Sequence, residues 1–182
     1  MHEKLKTSAG FGCEQAHLKV YIDNRPPLEH YQNMAALVPI QIGEILEIGR
    51  LTGNHWRKIF NVYAKLCFEL MPENFNTWQN LRDQKLLQKG SDQALIFNQT
   101  GFNQYIGKSS KEDIHIIMGR TFASSLITDN QYSKDLIWLN EEFAINKPFR
   151  FIVCPYFDYR QLSNLKISYL VKLITSLKHV EK

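Results

Sequence analysis

The chain has 182 residues, of which 44% are hydrophobic, 22% charged and 12% aromatic, with a formal net charge of +4. Those fractions exclude a disordered or collagen-like chain. The length suits one domain that buries roughly 70% of the surface its unfolded chain exposes, with no need of disulfide staples.

A single α/β domain over residues 1–182 is therefore expected, with 1–16 a loosely ordered or peripheral N-terminal segment. The apolar stretches fall short of the ~20 residues of a membrane span. The N-terminus, Met1 to Thr7, has no apolar run behind its charges, so neither a membrane partner nor a secretory signal is expected. Cys13, Cys67 and Cys154 are scattered with no CxxC pair, which predicts reduced thiols in the cytoplasm and no zinc site. From Lys147 to Lys182 seven Lys+Arg face two Asp+Glu, while the rest of the chain is close to neutral. Such a basic C-terminal stretch permits a polyanion partner, and a solvated lysine-rich helix face accounts for it as well.

In chain order, the run Leu18 to Ile22 predicts a strand, stopped by Asn24-Arg25-Pro26-Pro27 because proline cannot donate to a ladder. Residues 30–48 are mixed and partly helical, interrupted at Pro39. Asn54 is expected to cap a helix in which Trp56, Ile59, Phe60, Tyr63, Cys67 and Leu70 recur at helical spacing. Thr77 caps the next helix, from Trp78 to Lys89, closed by Gly90. Ala94–Phe97 and Asp113–Met118 read as strands, and a short helix follows Thr121. Ser133–Ile145 is expected to be helical, Phe149–Cys154 a strand, and Gln161–Val180 the longest amphipathic helix.

Strands thus alternate with helices, which predicts a three-layer αβα sandwich on a central, mainly parallel sheet of about four strands. Parallel sheets bind ligands beyond the carboxyl ends of their strands. The loops to inspect are then Asp23–Pro27, Asn98–Gly101, Gly119–Thr121 and Cys154–Asn164. The sequence contains no HExxH, P-loop, GxGxxG or GxSxG pattern, so no metal or cofactor is expected.

Within the loops, Asp23 and Asn24 could position a water or face a developing cation, and a structural turn explains them equally. Asn98 offers a donor and an acceptor to the edge of a base, or simply forms a turn. Tyr156 and Phe157 could stack on a base, with Cys154, Pro155, Arg160 and Leu162 as loop or DNA contacts, or these groups fold onto the core. The segment Thr52 to Lys58, with Asn54 and Arg57, is similar to an anion-friendly helix start, which a plain N-cap also explains.

Taken in order, these segments resemble the uracil-DNA glycosylase superfamily, over residues 18–178. Val20 to Pro27 stands where that family ends its first strand in an acid- or asparagine-plus-proline motif. Gly53-Asn54-His55-Trp56 is similar to a segment of the mismatch-specific branch, and Ala94 to Asn98 to the strand that carries the base-reading asparagine. Ile114 to Ala123 is similar to the family's strand-glycine-helix unit. Phe151 to Pro155 matches the strand and proline of the last motif, but Cys154 stands where His or Asn is usual and Tyr156 where Ser is usual. Arg25 is inserted between Asn24 and Pro26.

The resemblance implies a glycosylase-like fold, DNA or a nucleotide as partner, and excision of a flipped base. Asp23 or Asn24 would then serve the chemistry, Asn98 would read the base, and Tyr156, Phe157 or Leu162 would fill the gap in the duplex. The alternatives are a non-catalytic nucleic-acid or nucleotide-binding protein on the same fold, and an unrelated small-molecule-binding α/β protein.

Overall fold

A computed structural model of the chain describes residues 8–128 and 130–179. Strands β1 (Ala9–Gly12), β2 (Leu18–Ile22), β3 (Leu37–Val38), β4 (Gln93–Phe97), β5 (Ile114–Met118), β6 (Leu136–Trp138), β7 (Ala144–Asn146) and β8 (Phe151–Cys154) form one sheet in the order β3-β1-β4-β2-β5-β8-β7-β6. The helices are α1 (Glu29–Gln32), α2 (Glu44–Thr52), α3 (Asn54–Leu70), α4 (Trp78–Gln84), α5 (Asn98–Ile106), α6 (Arg120–Ile127) and α7 (Asn164–Lys178). The fold is α/β, and no helix among the described residues is long and apolar enough to cross a membrane.

The four expected strands form the centre of the sheet. β4, β2, β5 and β8 are all parallel, and every residue of each is buried. Burial on both faces is why these strands read as continuous apolar runs. Val20, Leu95, Ile116 and Ile152 join one core cluster with α3 and α7, and Tyr21, Ile96, Ile117 and Val153 join another with α5 and α6. Helices therefore cover both faces.

The sheet is larger and more mixed than expected. Eight strands replace about four, and β1–β4, β7–β8 and β6–β7 are antiparallel. Two expectations are corrected here. Residues 9–12 are not peripheral: β1 is buried and lies between β3 and β4 (residues 1–7 lie outside the described residues). Its glycines allow the close approach, since a Cβ on Gly10 would stand 2.2 Å from the Leu95 carbonyl oxygen. Residues 133–145 are not a helix but the β6–β7 hairpin. The side-chain oxygen of Asn140 accepts from the backbone N–H groups of Glu142 and Phe143, both at 2.8 Å. Those bonds offer the backbone a turn in place of a helical ladder.

α3 buries Trp56, Ile59, Phe60, Tyr63 and Cys67, as the spacing predicts. Its cap differs from expectation: Gly53, at φ 82°, precedes the helix and Asn54 is its first residue, with no side-chain cap bond. Thr77 does cap α4, accepting from the Asn80 N–H at 3.1 Å, but that helix ends at Gln84. α7 begins at Asn164, and the expected end at Val180 lies outside the described residues.

Buried polar groups inside the α5 and α6 face are paired. His115 stands between the Tyr21 hydroxyl at 2.7 Å and the Ser109 hydroxyl at 2.8 Å. Burial drives its pKa down to about 3, so the ring stays neutral. The Lys19 ammonium donates to the Ala16 carbonyl and lies 3.7 Å from Asp113.

Two outcomes are expected. The unfolded His115 titrates near ~6.5 and the folded one near 3, so the folded state is favoured above that range. Lowering the pH from ~6.5 towards 3 should erode stability, and His115→Gln should flatten that part of a urea-unfolding pH profile. A Cβ on Gly101 would lie 2.2 Å from Cγ2 of Ile96, where α5 presses on β4. Gly101→Ala should therefore cost about 1–3 kcal/mol in urea unfolding.

Candidate functional site at the carboxyl edge of the sheet

Because β4, β2, β5 and β8 run parallel, Phe97, Ile22, Met118 and Cys154 all end at one edge. The turns beyond them carry the residues singled out from the sequence. The structure sorts these residues into two groups.

The first group is exposed or half-buried and converges. Nδ2 of Asn24, just beyond β2, donates to the Tyr156 hydroxyl at 3.0 Å, just beyond β8. Both meet His55, from the first turn of α3: its Nε2 lies 3.1 Å from the Tyr156 hydroxyl and 3.5 Å from Nδ2 of Asn24. The His55 and Tyr156 rings stack, with centroids 5.6 Å apart and planes at 27°. Burial pushes the Tyr156 phenol up to about 12, so it stays a neutral donor and acceptor near neutral pH. Asp23 is exposed beside Asn24.

The loop after β8 adds charge. Nζ of Lys58, on α3, donates to Asp158 at 3.0 Å. The Asp158 carboxyl is held below the usual carboxylate range, chiefly by the Arg160 backbone N–H. Arg160 is exposed over the Tyr159 ring, and NH1 of Arg57 donates to Oδ1 of Asn54 at 3.3 Å on the α3 surface.

The second group serves the fold. Phe157 and Leu162 are fully buried, and Phe157 packs edge-on against Tyr63 at 5.6 Å, so neither faces a ligand or a duplex as expected. Cys154 and Pro155 are buried too, which removes them as loop contacts, and burial raises the Cys154 thiol far above the reactive range. Asn98 sits at φ 68°, and its Oδ1 accepts from the Thr100 N–H at 3.1 Å. Asparagine tolerates this left-handed conformation better than other residues with a Cβ, so the sharp β4–α5 turn accounts for it. Arg25, the insertion, is also structural: NH1 donates to the carbonyls of Tyr31, Gln32 and Met34, and the guanidinium lies over the Phe97 ring at 5.7 Å.

Residues 9–175 match the model of a family described as DUF6942, a family of unknown function. The chain belongs to that family. No curated protein and no solved structure matches it. The family match spans β1 to nearly the end of α7, so it covers the whole carboxyl edge.

His55 is the residue the sequence reading left out of the site. Its only signal is membership of the Thr52–Lys58 helix start; nothing in the spacing places it beside Tyr156, 101 positions away. Among the described residues no group of three or more His, Cys, Asp or Glu could hold a metal ion.

The two groups should respond differently to substitution. Asn98→Val should cost about 1–2 kcal/mol because a β-branched residue is strained at positive φ, whereas Asn98→Gly should be nearly neutral; both are read by urea unfolding. Asn24→Ala and His55→Ala remove exposed groups and should stay within about 0.5 kcal/mol of wild type. A loss near that of a core truncation would make the Asn24–His55–Tyr156 cluster structural.

Proposed function

We propose that this protein binds a nucleic-acid strand or nucleotide across the carboxyl edge of its sheet, in the cytoplasm, with Asn24, His55 and Tyr156 as the ligand-facing constellation. The observation that carries this reading is their mutual contact at 3.0, 3.1 and 3.5 Å, drawn from three separate chain segments onto an accessible surface. An amide, an imidazole and a phenol together supply the donor and acceptor types that a base edge can pair with. The flanking Arg57, Lys58 and Arg160 suit an anionic backbone.

The binding reading gains over the catalytic one because several groups that base excision would use are engaged in the fold. Phe157 and Leu162 are in the core, and the Asn98 side-chain oxygen accepts from the Thr100 N–H within its turn. One observation favours excision as a second reading, in the manner of a diverged uracil-DNA glycosylase. Asn24 and His55 share one edge, where an amide could position water and an imidazole could donate to a departing base.

Labelled single-stranded oligonucleotide, titrated at rising salt, should bind with an affinity that falls with ionic strength, and Asn24→Ala should weaken it. Absence of binding by wild type rejects the proposal. For the second reading, wild type should release uracil from uracil-containing DNA and Asn24→Ala should not; equal release by both would exclude Asn24 from the chemistry.

A further inference from the structure

We propose that the outward face of α3 is the track along which a single-stranded nucleic acid leaves the carboxyl edge, an inference that rests on the binding reading above. Two clefts, of about 320 and 460 Å³, lie along this helix and share Lys65 and Trp78. The first is lined by Asn54, Arg57, Lys58, Asn61 and Tyr159 among others. Asn54, which lines it, directly precedes His55 in the chain, and the loop that carries Tyr156 also supplies Tyr159. The track therefore begins at the Asn24–His55–Tyr156 cluster.

Cations and aromatic rings alternate along it. Lys65 and Arg82 lie over the Trp78 ring at 5.2 and 5.5 Å. Lys58 and Arg160 lie over the Tyr159 ring at 5.1 and 5.7 Å. Lys58 and Arg82 also contact Asp158 and Asp83, but among the described residues no carboxylate forms an ion pair with Arg57 or Lys65. Glu69 lines the far cleft.

Arg57 and Lys65 are eight residues apart on α3, or ~12 Å along its axis at ~1.5 Å per residue. The three α3 cations of the first cleft, Arg57, Lys58 and Lys65, can meet about three phosphates of one strand. Tyr159 is 53% exposed and Trp78 half-buried. Groove cations beside partly exposed rings are the chemistry of strand binding, with phosphates on the cations and bases against the exposed parts of the rings. A bare polyanion would use the cations alone.

The test is anisotropy of a fluorescein-labelled oligothymidylate, titrated at several salt concentrations. For about three phosphates the log–log salt slope should be about −2, at ~0.7 per phosphate of a single strand. The double variant Arg57→Gln/Lys65→Gln should lose about 1.4 of that slope, while Lys108→Gln, on the side of the α5 and α6 layer, should leave it unchanged. Circular dichroism melts establish that each variant is folded. Inorganic polyphosphate of equal charge should compete poorly.

A double variant that binds with the wild-type slope overturns the α3 track. If Asn24→Ala nevertheless weakens binding, the edge reading stands without it. Polyphosphate that competes as well as the oligonucleotide, charge for charge, overturns the role given to the rings. No oligonucleotide binding by wild type overturns the track and the edge reading together.

Discussion

The hydroxyl of Tyr63 donates to the Ala94 carbonyl at 2.9 Å and reaches the Leu18 carbonyl at 3.3 Å. That one phenol, fully buried, ties the middle of α3 to the starts of β2 and β4. Its partners are carbonyl oxygens in the buried core, where an unsatisfied polar group costs about 1–3 kcal/mol. The helix can therefore neither slide nor roll without breaking the bond. Once its register is set, Trp56 and Phe60 go into the core, His55 arrives beside Asn24, and Arg57, Lys58 and Lys65 are left outward. The core contact and the candidate site are two faces of the same helix.

The other face of the sheet is held differently. The α5 and α6 layer buries Lys19 and His115 as well as aromatic rings. Each polar group has a partner: the Lys19 ammonium has the Ala16 carbonyl and Asp113, and His115 has two hydroxyls. Burial holds both pKa values down. The layer is stable while these groups keep the protonation that suits it. This face lies away from α3, so the buried Lys19 and His115 lie on the opposite side of the sheet from that helix.

At the carboxyl edge the chain closes most of its loops with its own side chains. Arg25 gathers three carbonyls and lies over Phe97, Phe157 packs on Tyr63, and Asn98 turns the chain into α5. The open part is what these contacts leave over. Asn24 and Tyr156 are the loop residues pushed outward when Arg25 and Phe157 turn in, and His55 meets them because Gly53, at φ 82°, starts α3 at that edge.

The sequence by itself determined the four central strands, because strands buried on both faces must be apolar throughout, and α3, because one buried stripe must recur every turn. It also placed Asn24 and Tyr156 at strand ends. It did not show β1, whose role depends on glycines that fit only against β4, nor the β6–β7 hairpin, where Asn140 outweighs an apolar pattern that suits a helix. It left Phe157 and Leu162 open between ligand and core, since an aromatic or aliphatic residue in a loop has the same letter whether it faces solvent or core. The basic C-terminal stretch is likewise dispersed: Arg150 binds the Asp113 and Leu177 carbonyls and Lys166 pairs with Glu142. The cations that do line up, Arg57, Lys58, Lys65 and Arg82, come from a part of the chain that is close to neutral. Only tertiary structure could gather them, and only it could bring His55 to Tyr156, because contacts between distant segments are set by how the helices pack on the sheet and leave no local spacing to read.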